Sequence, residues 1–240
     1  SYFYSDKYIV FATKAKPATK KEYFDYYTTT ENLTIAAGIP MPKLYVIETE
    51  ALNAFATGRN PKHALVCITT GLLNRLERSE IEAVISHELS HIKNYDILIA
   101  SIVTILVGTL VLAVDFVSRG WMYGRFGRDN RSSSYLTVIL FLIVIILAPL
   151  LATLIQLAIS RKREYLADAS GALLTRNPDS LAKALEKMDI DSQPMKSASG
   201  ATAHLFITNP LKTKNVKSKI AGLFSTHPPI KERIRILRLM

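Results

Sequence analysis

The chain has 240 residues, of which 49% are hydrophobic, so it can build one large domain or two small ones around a real apolar core. Its 30 basic side chains outnumber the 20 acidic ones. The excess points to an anionic surface as partner, while the lack of any nucleic-acid module argues against nucleic acid. A single cysteine, Cys67, excludes an intramolecular disulfide and a cysteine-based metal site. Residues 1–96 are balanced at 11 basic and 11 acidic side chains, whereas 160–240 carry 15 and 7. Beside apolar stretches, a basic excess of this kind favours a lipid surface.

In chain order, the opening Ser1-Tyr-Phe-Tyr-Ser-Asp6 has neither a basic n-region nor an apolar h-region, so no secretory signal is read there. A helix is expected from about Thr19 to Ala37, broken by Gly38, Pro40 and Pro42. Short strands are expected at Lys43–Glu48, Leu52–Thr57 and Ala64–Thr69, with turn material such as Gly58-Arg-Asn-Pro61 between them. Cys67 lies in the third of these runs and reads as a buried strand residue. Ser79-Glu-Ile-Glu82 offers a capping box, which starts a helix expected to continue through Asn94.

That helix carries His87-Glu88-Leu89-Ser90-His91. A spacing of four puts both imidazoles on one face, about a turn apart, as a single metal ion requires. Glu88, next to one of them, is in place to activate a water. The competing reading is two surface histidines on an exposed helix. His63 and His204 fall outside any ligand spacing and read as surface or structural residues.

Ile97 to Val114 and Tyr135 to Ile159 are free of charge over 18 and 25 residues. Each is long enough to cross a hydrocarbon layer of about 30 Å at about 1.5 Å per residue. Buried helices of a soluble domain are the alternative, but they usually keep a polar stripe, and Val138 to Leu147 has none. Joined by the short connector Asp115 to Ser134, the two spans form a hairpin whose flanks share one side of the membrane. Arg119, Arg125, Arg128 and Arg131 in the connector nearly balance Lys93, Arg161, Lys162 and Arg163 on the flanks. The larger C-terminal excess leans towards cytoplasmic flanks. The expected organisation is residues 1–96 as the N-terminal part of a catalytic domain, 97–159 as a transmembrane hairpin, and 160–240 as the C-terminal part.

A catalytic zinc site takes three protein ligands and a water. The hairpin returns the chain to the side of His87 and His91, where Glu164 and Asp168 are again spaced by four. Glu164 then reads as the third ligand, and Asp168 as an acceptor that orients a ligand histidine through its other ring nitrogen.

These residues resemble the HtpX membrane proteases, relatives of the CAAX prenyl proteases and other gluzincin-like enzymes. The matching motifs are Asn53-Ala-Phe-Ala-Thr-Gly58, Thr70-Gly-Leu-Leu73, Ser86-His-Glu-Leu-Ser-His91, Arg163-Glu-Tyr-Leu-Ala-Asp168, and Ser225-Thr-His-Pro-Pro229 with Arg233-Ile234. They follow the family's order over roughly residues 35–235. The family carries two further spans ahead of its first soluble segment, and the sequence has none there.

The resemblance implies an α+β, mainly helical, gluzincin-like domain with a small edge sheet and the inserted hairpin. It also implies one zinc ion per chain and an integral inner-membrane protein whose catalytic domain faces the cytoplasm. Polypeptide substrates, chiefly misfolded membrane proteins, follow from it as well. Asn53 and Ala54 correspond to an edge strand that pairs with substrate, although Asn53 also reads as closing a turn. His227 corresponds to a donor for the tetrahedral oxyanion, or else is structural. A CAAX-type processing enzyme and a noncatalytic zinc-containing scaffold are the rival functions. Glu88 argues against the scaffold, since a structural site has no use for a general base.

Overall fold

The computed structural model describes residues 5–102, 161–191 and 228–240, with shorter pieces between 193 and 210 and isolated helical positions within 105–112 and 139–147. The expected hairpin, its connector and His227 lie largely or wholly outside the described residues. Among the described residues no helix is long and apolar enough to cross a membrane.

A four-stranded mixed sheet sits in a mainly helical body. Its strands are β1 (Lys16–Pro17), β2 (Lys43–Ile47), β3 (Ala54–Gly58) and β4 (Ala64–Thr69), in the order β1-β2-β4-β3. β2 and β4 are parallel, while β1 and β3 add antiparallel edges. β4 lies between neighbours and is buried on both faces, which explains its unbroken apolar run. Ala64, Val66 and Ile68 point to one core, and Leu65 and Cys67 to the other. Cys67 is therefore a core residue, and burial pushes its thiol well above the usual range.

Helix α1 (Ser5–Thr13), which had no sequence signal, covers the second face through Ile9. Helix α2 (Phe24–Ala37) covers the first. It begins five residues later than expected, because Thr19 takes the amide of Glu22 into a separate turn. Its end is the expected one: Gly38 adopts φ 70°, a left-handed cap that bonds back to Ile35. The buried Tyr26 of α2 donates to the Val66 carbonyl at 3.0 Å, pinning helix to sheet.

After a short helix α3 (Thr70–Arg75), α4 (Arg78–Lys93) runs under the sheet. Its capping box is Glu77 with Glu80, two residues ahead of the expected Ser79 and Glu82. The Glu77 amide donates to Glu80 Oε2 at 2.8 Å, and Lys187 neutralises the same buried oxygen at 2.7 Å. That long-range cation selects the earlier box, and no local pattern could reveal it. Lys187 belongs to α6 (Pro178–Ile190), which follows α5 (Arg161–Thr175). α6 is capped by Asn177 and packs Leu181, Leu185 and Met188 into the first core. The last helix, α7 (Ile230–Leu237), closes over α5 and α6.

Candidate metal centre

Residues 83 to 90 of α4 are buried, so His87 is sunk in the protein, while His91 at the end of this run is only partly covered. Their rings meet edge to face with centroids 4.7 Å apart, and the two Nε2 atoms are 3.2 Å apart. α5 lies along α4 and brings Glu164 to the same point. One carboxylate oxygen of Glu164 is 3.9 Å from His87 Nε2, and the other is 3.6 Å from His91 Nε2. Tetrahedral zinc with bonds of about 2.0–2.1 Å sets its ligand atoms roughly 3.4 Å apart. The donor set and its spacing therefore fit such an ion.

Close approach of the two helices depends on Gly171. A Cβ there would lie 3.0 Å from the amide nitrogen of His87 and 3.1 Å from Ser86 Oγ, which itself bonds to the Gly171 carbonyl at 3.2 Å. Backbone cannot yield as a side-chain tip can. Gly171→Ala is expected to part α4 from α5 at the ligand and to cost roughly 1–2 kcal/mol despite alanine's better helix propensity. Thermal unfolding of the two proteins checks this, and an unchanged midpoint would contradict it.

Glu88 points from α4 towards β3 and is buried. Burial is the largest influence and raises its pKa. His87 and His91 oppose that rise, Glu164 adds to it, and a main-chain hydrogen bond from Ala56 lowers it again. A buried carboxylate with a raised pKa, one residue from a ligand position, is suited to accept a proton near neutral pH. For His91, burial favours the neutral ring, but the hydrogen bond to Asp96 and the charges of Glu164, Glu88 and Asp96 outweigh it and raise the pKa to about 9. A metal ion taken by this ring would have to displace a proton at neutral pH.

Asp168 Oδ1 lies 3.0 Å from His87 Nδ1. On its other side the carboxylate takes a bidentate grip from Arg233, with Nε at 2.7 Å and Nη2 at 2.6 Å. Burial disfavours its charge, yet Arg233 and His87 hold the pKa down at about 2. The Arg233 guanidinium is fully buried, sits 3.3 Å from Glu164 Oε2, and has Nη2 3.4 Å from His87 Nε2. Sequence reasoning quoted Arg233 in a motif but gave it no role. A usable signal was present: in α7 it falls on the same stripe as Ile230 and Leu237, where a cation needs a buried partner.

Asn53 is buried ahead of β3, at the sheet edge expected for substrate pairing. The structure gives its amide another partner: Nδ2 donates to the Thr208 carbonyl at 2.9 Å, and Oδ1 accepts from the Thr208 amide at 3.3 Å. The Ala54 carbonyl accepts from Ile207 at 3.0 Å, and Phe206 packs edge-on against Phe55. Residues 206–208 thus lie along this end of β3. Asp191, just past the end of α6, accepts from the Leu52 amide at 2.9 Å and pairs with Arg75, fixing the approach to β3. His63 is exposed and bonds Asn60, consistent with a surface role.

A helix with two imidazoles one turn apart, an intervening glutamate, and a carboxylate from a second helix is the donor set of a metalloprotease. Comparison with known proteins agrees. Residues 25–240 match the model of peptidase family M48, and the chain belongs to that family. It is 47% identical over its full length to a protease HtpX homolog of Dictyoglomus thermophilum, spanning 77% of that protein. It is 45% identical over 99% of its length to one of Thermoanaerobacter pseudethanolicus, spanning 79%. Among solved structures, S. mikatae Ste24p shares the fold with a TM-score of 0.54 at 19% identity, over 98% of this chain and 57% of that one.

Proposed function

We propose that the protein is a zinc-dependent endopeptidase in which His87, His91 and Glu164 hold the metal and Glu88 is the general base. The observation that carries this reading is the convergence of three ligand atoms within 4.8 Å of one another, beside a buried glutamate. When bound there, zinc supplies a Lewis acid that polarises the scissile carbonyl and brings a water to readiness for deprotonation near neutral pH. Glu88 takes that proton and passes it to the leaving amine. Asp168, with Oδ1 3.0 Å from His87 Nδ1, favours the tautomer protonated there and so keeps the Nε2 lone pair on the metal side.

For Asn53 and Ala54 to pair with a peptide, residues 207–208 have to leave the strand edge. His227 serves as oxyanion donor on the family resemblance alone. Residues 97–159 form a transmembrane hairpin between two halves of the catalytic domain, 1–96 and 160–240, supported by their charge-free lengths. The catalytic domain faces the cytoplasm of the inner membrane, and the substrates are misfolded membrane proteins.

Zinc content and cleavage of casein or a model membrane protein, compared between the parent and Glu164→Ala in detergent, test the reading. The parent is expected to hold about one zinc per chain and to cleave, and the variant to lose both. A variant with full zinc would remove Glu164 from the ligand set.

A further inference from the structure

Both imidazoles of the centre back onto a carboxylate, and both carboxylates onto an arginine. The His87, Asp168 and Arg233 series is sealed in the core. The second series is His91, Asp96 and Arg163: His91 Nδ1 lies 3.0 Å from Asp96 Oδ2, and Asp96 Oδ1 lies 3.5 Å from Arg163 Nη1. Its members come from three different segments. His91 is in the last turn of α4, and Asp96 follows Tyr95, whose φ of 61° breaks α4 and starts a new helical run at 96–102. Arg163 is in the first turn of α5, one residue before Glu164. Asp96 therefore touches both helices that carry the proposed ligands.

The two series differ in what else holds the ring. The His87 side chain is 0% exposed and enclosed on all sides, whereas that of His91 is 15% exposed. A ring that packing encloses less completely depends more on its hydrogen bond. An imidazole that ligates through Nε2 must carry its proton on Nδ1, and a carboxylate at Nδ1 selects that tautomer, aims the ring and strengthens the donor.

We propose that Asp96 is the positioning residue for His91, and that its pair with Arg163 staples the point where the chain leaves the zinc helix to the point where it returns, keeping His91 and Glu164 in register. The proposal rests on the zinc reading above. Because Asp96 stands just before the 97–114 stretch and Arg163 just after 135–159, the staple lies at both roots of the proposed hairpin. Movement between those roots is then felt at His91. The competing view, that Asp96 only favours the start of helix 96–102 as an acidic first-turn residue, expects some loss of stability and no change at the metal.

The test uses the full chain in detergent. Zinc affinity is measured by competition with a chromophoric chelator, and the d–d spectrum is recorded after cobalt loading. Asp96→Ala is expected to weaken zinc roughly 10- to 100-fold and to alter the cobalt spectrum. Asp96→Asn, of nearly the same shape and able to accept from Nδ1, is expected to lose less, and it carries the test should the alanine variant fail to fold. Arg163→Met is expected to fall between the parent and Asp96→Ala. His91→Ala serves as the reference for a lost ligand. If His91→Ala loses zinc while both Asp96 variants keep the parental affinity and cobalt spectrum, the positioning role is overturned and the zinc reading stands. If the parent binds no zinc, or His91→Ala binds it as well as the parent, the zinc reading falls and the proposal with it.

Discussion

Glu88→Gln is expected to retain its zinc and lose cleavage by roughly 10²- to 10⁴-fold, the range contributed by a positioned general base. The substitution keeps the shape of the side chain, and its amide oxygen can still accept the main-chain hydrogen bond from Ala56, so neither fold nor ligand geometry should move. Stability should change in the opposite direction to activity. The folded-state pKa of Glu88 lies above its unfolded value because burial disfavours the charge. Its ionised form thus costs stability at pH values above that folded pKa, and a neutral amide removes the cost. The variant should melt no lower than the parent at pH 7 to 8. Zinc content, cleavage rate and a melting curve on one preparation check all three parts, and undiminished hydrolysis would remove Glu88 from the mechanism.

Arg233→Met is expected to be the most damaging substitution to the fold. It takes from a buried cluster the one cation that pairs with both Asp168 and Glu164. Breaking a buried ion pair from one side typically costs about 3–5 kcal/mol. In a domain of this size that corresponds to a fall in melting temperature of roughly 10 °C.

The pH dependence separates this account from simple loss of packing. With Arg233 present, the Asp168 pKa is held down at about 2, so its share of the stability is present above the ordinary carboxylate value near 3.8 and disappears as pH falls from there towards 2. Without Arg233 only His87 opposes the burial penalty, and the pKa rises. The difference in stability between parent and variant should then shrink on acidification from pH 7 to 4. A difference that stays constant would show the guanidinium acting only as a space-filler.

How much of this was legible in the sequence depends on the range over which each feature is determined. The strands β2, β3 and β4 announced themselves through apolar runs cut by Gly58 and Pro61, and α2 through Gly38, because these signals are local. His87, Glu88 and His91 were legible because they share one helix, whose period fixes their geometry. Pairing Glu164 with them needed a topological argument about where the chain returns.

Features made by partners far apart in sequence were not legible. The cap at Glu77 is chosen by Lys187, the grip on Asp168 is supplied by Arg233, and the carboxyl of Asp191 finds the Leu52 amide 139 residues away. Asp96 was missed although it lies only five residues from His91, because the left-handed turn at Tyr95 that swings it back is a conformation no residue pattern there demanded. The edge of β3 was read as open to a peptide, and residues 206–208, coming from beyond α6, lie on it.

The central claim is that one zinc ion sits where α4 and α5 converge, and anomalous diffraction at the zinc edge tests it most directly. A single peak about 2.0–2.2 Å from His87 Nε2, His91 Nε2 and a carboxylate oxygen of Glu164, with one further position left for water, is the predicted result. A peak at any other residues, or none at this convergence in crystals of zinc-loaded protein, would contradict the account.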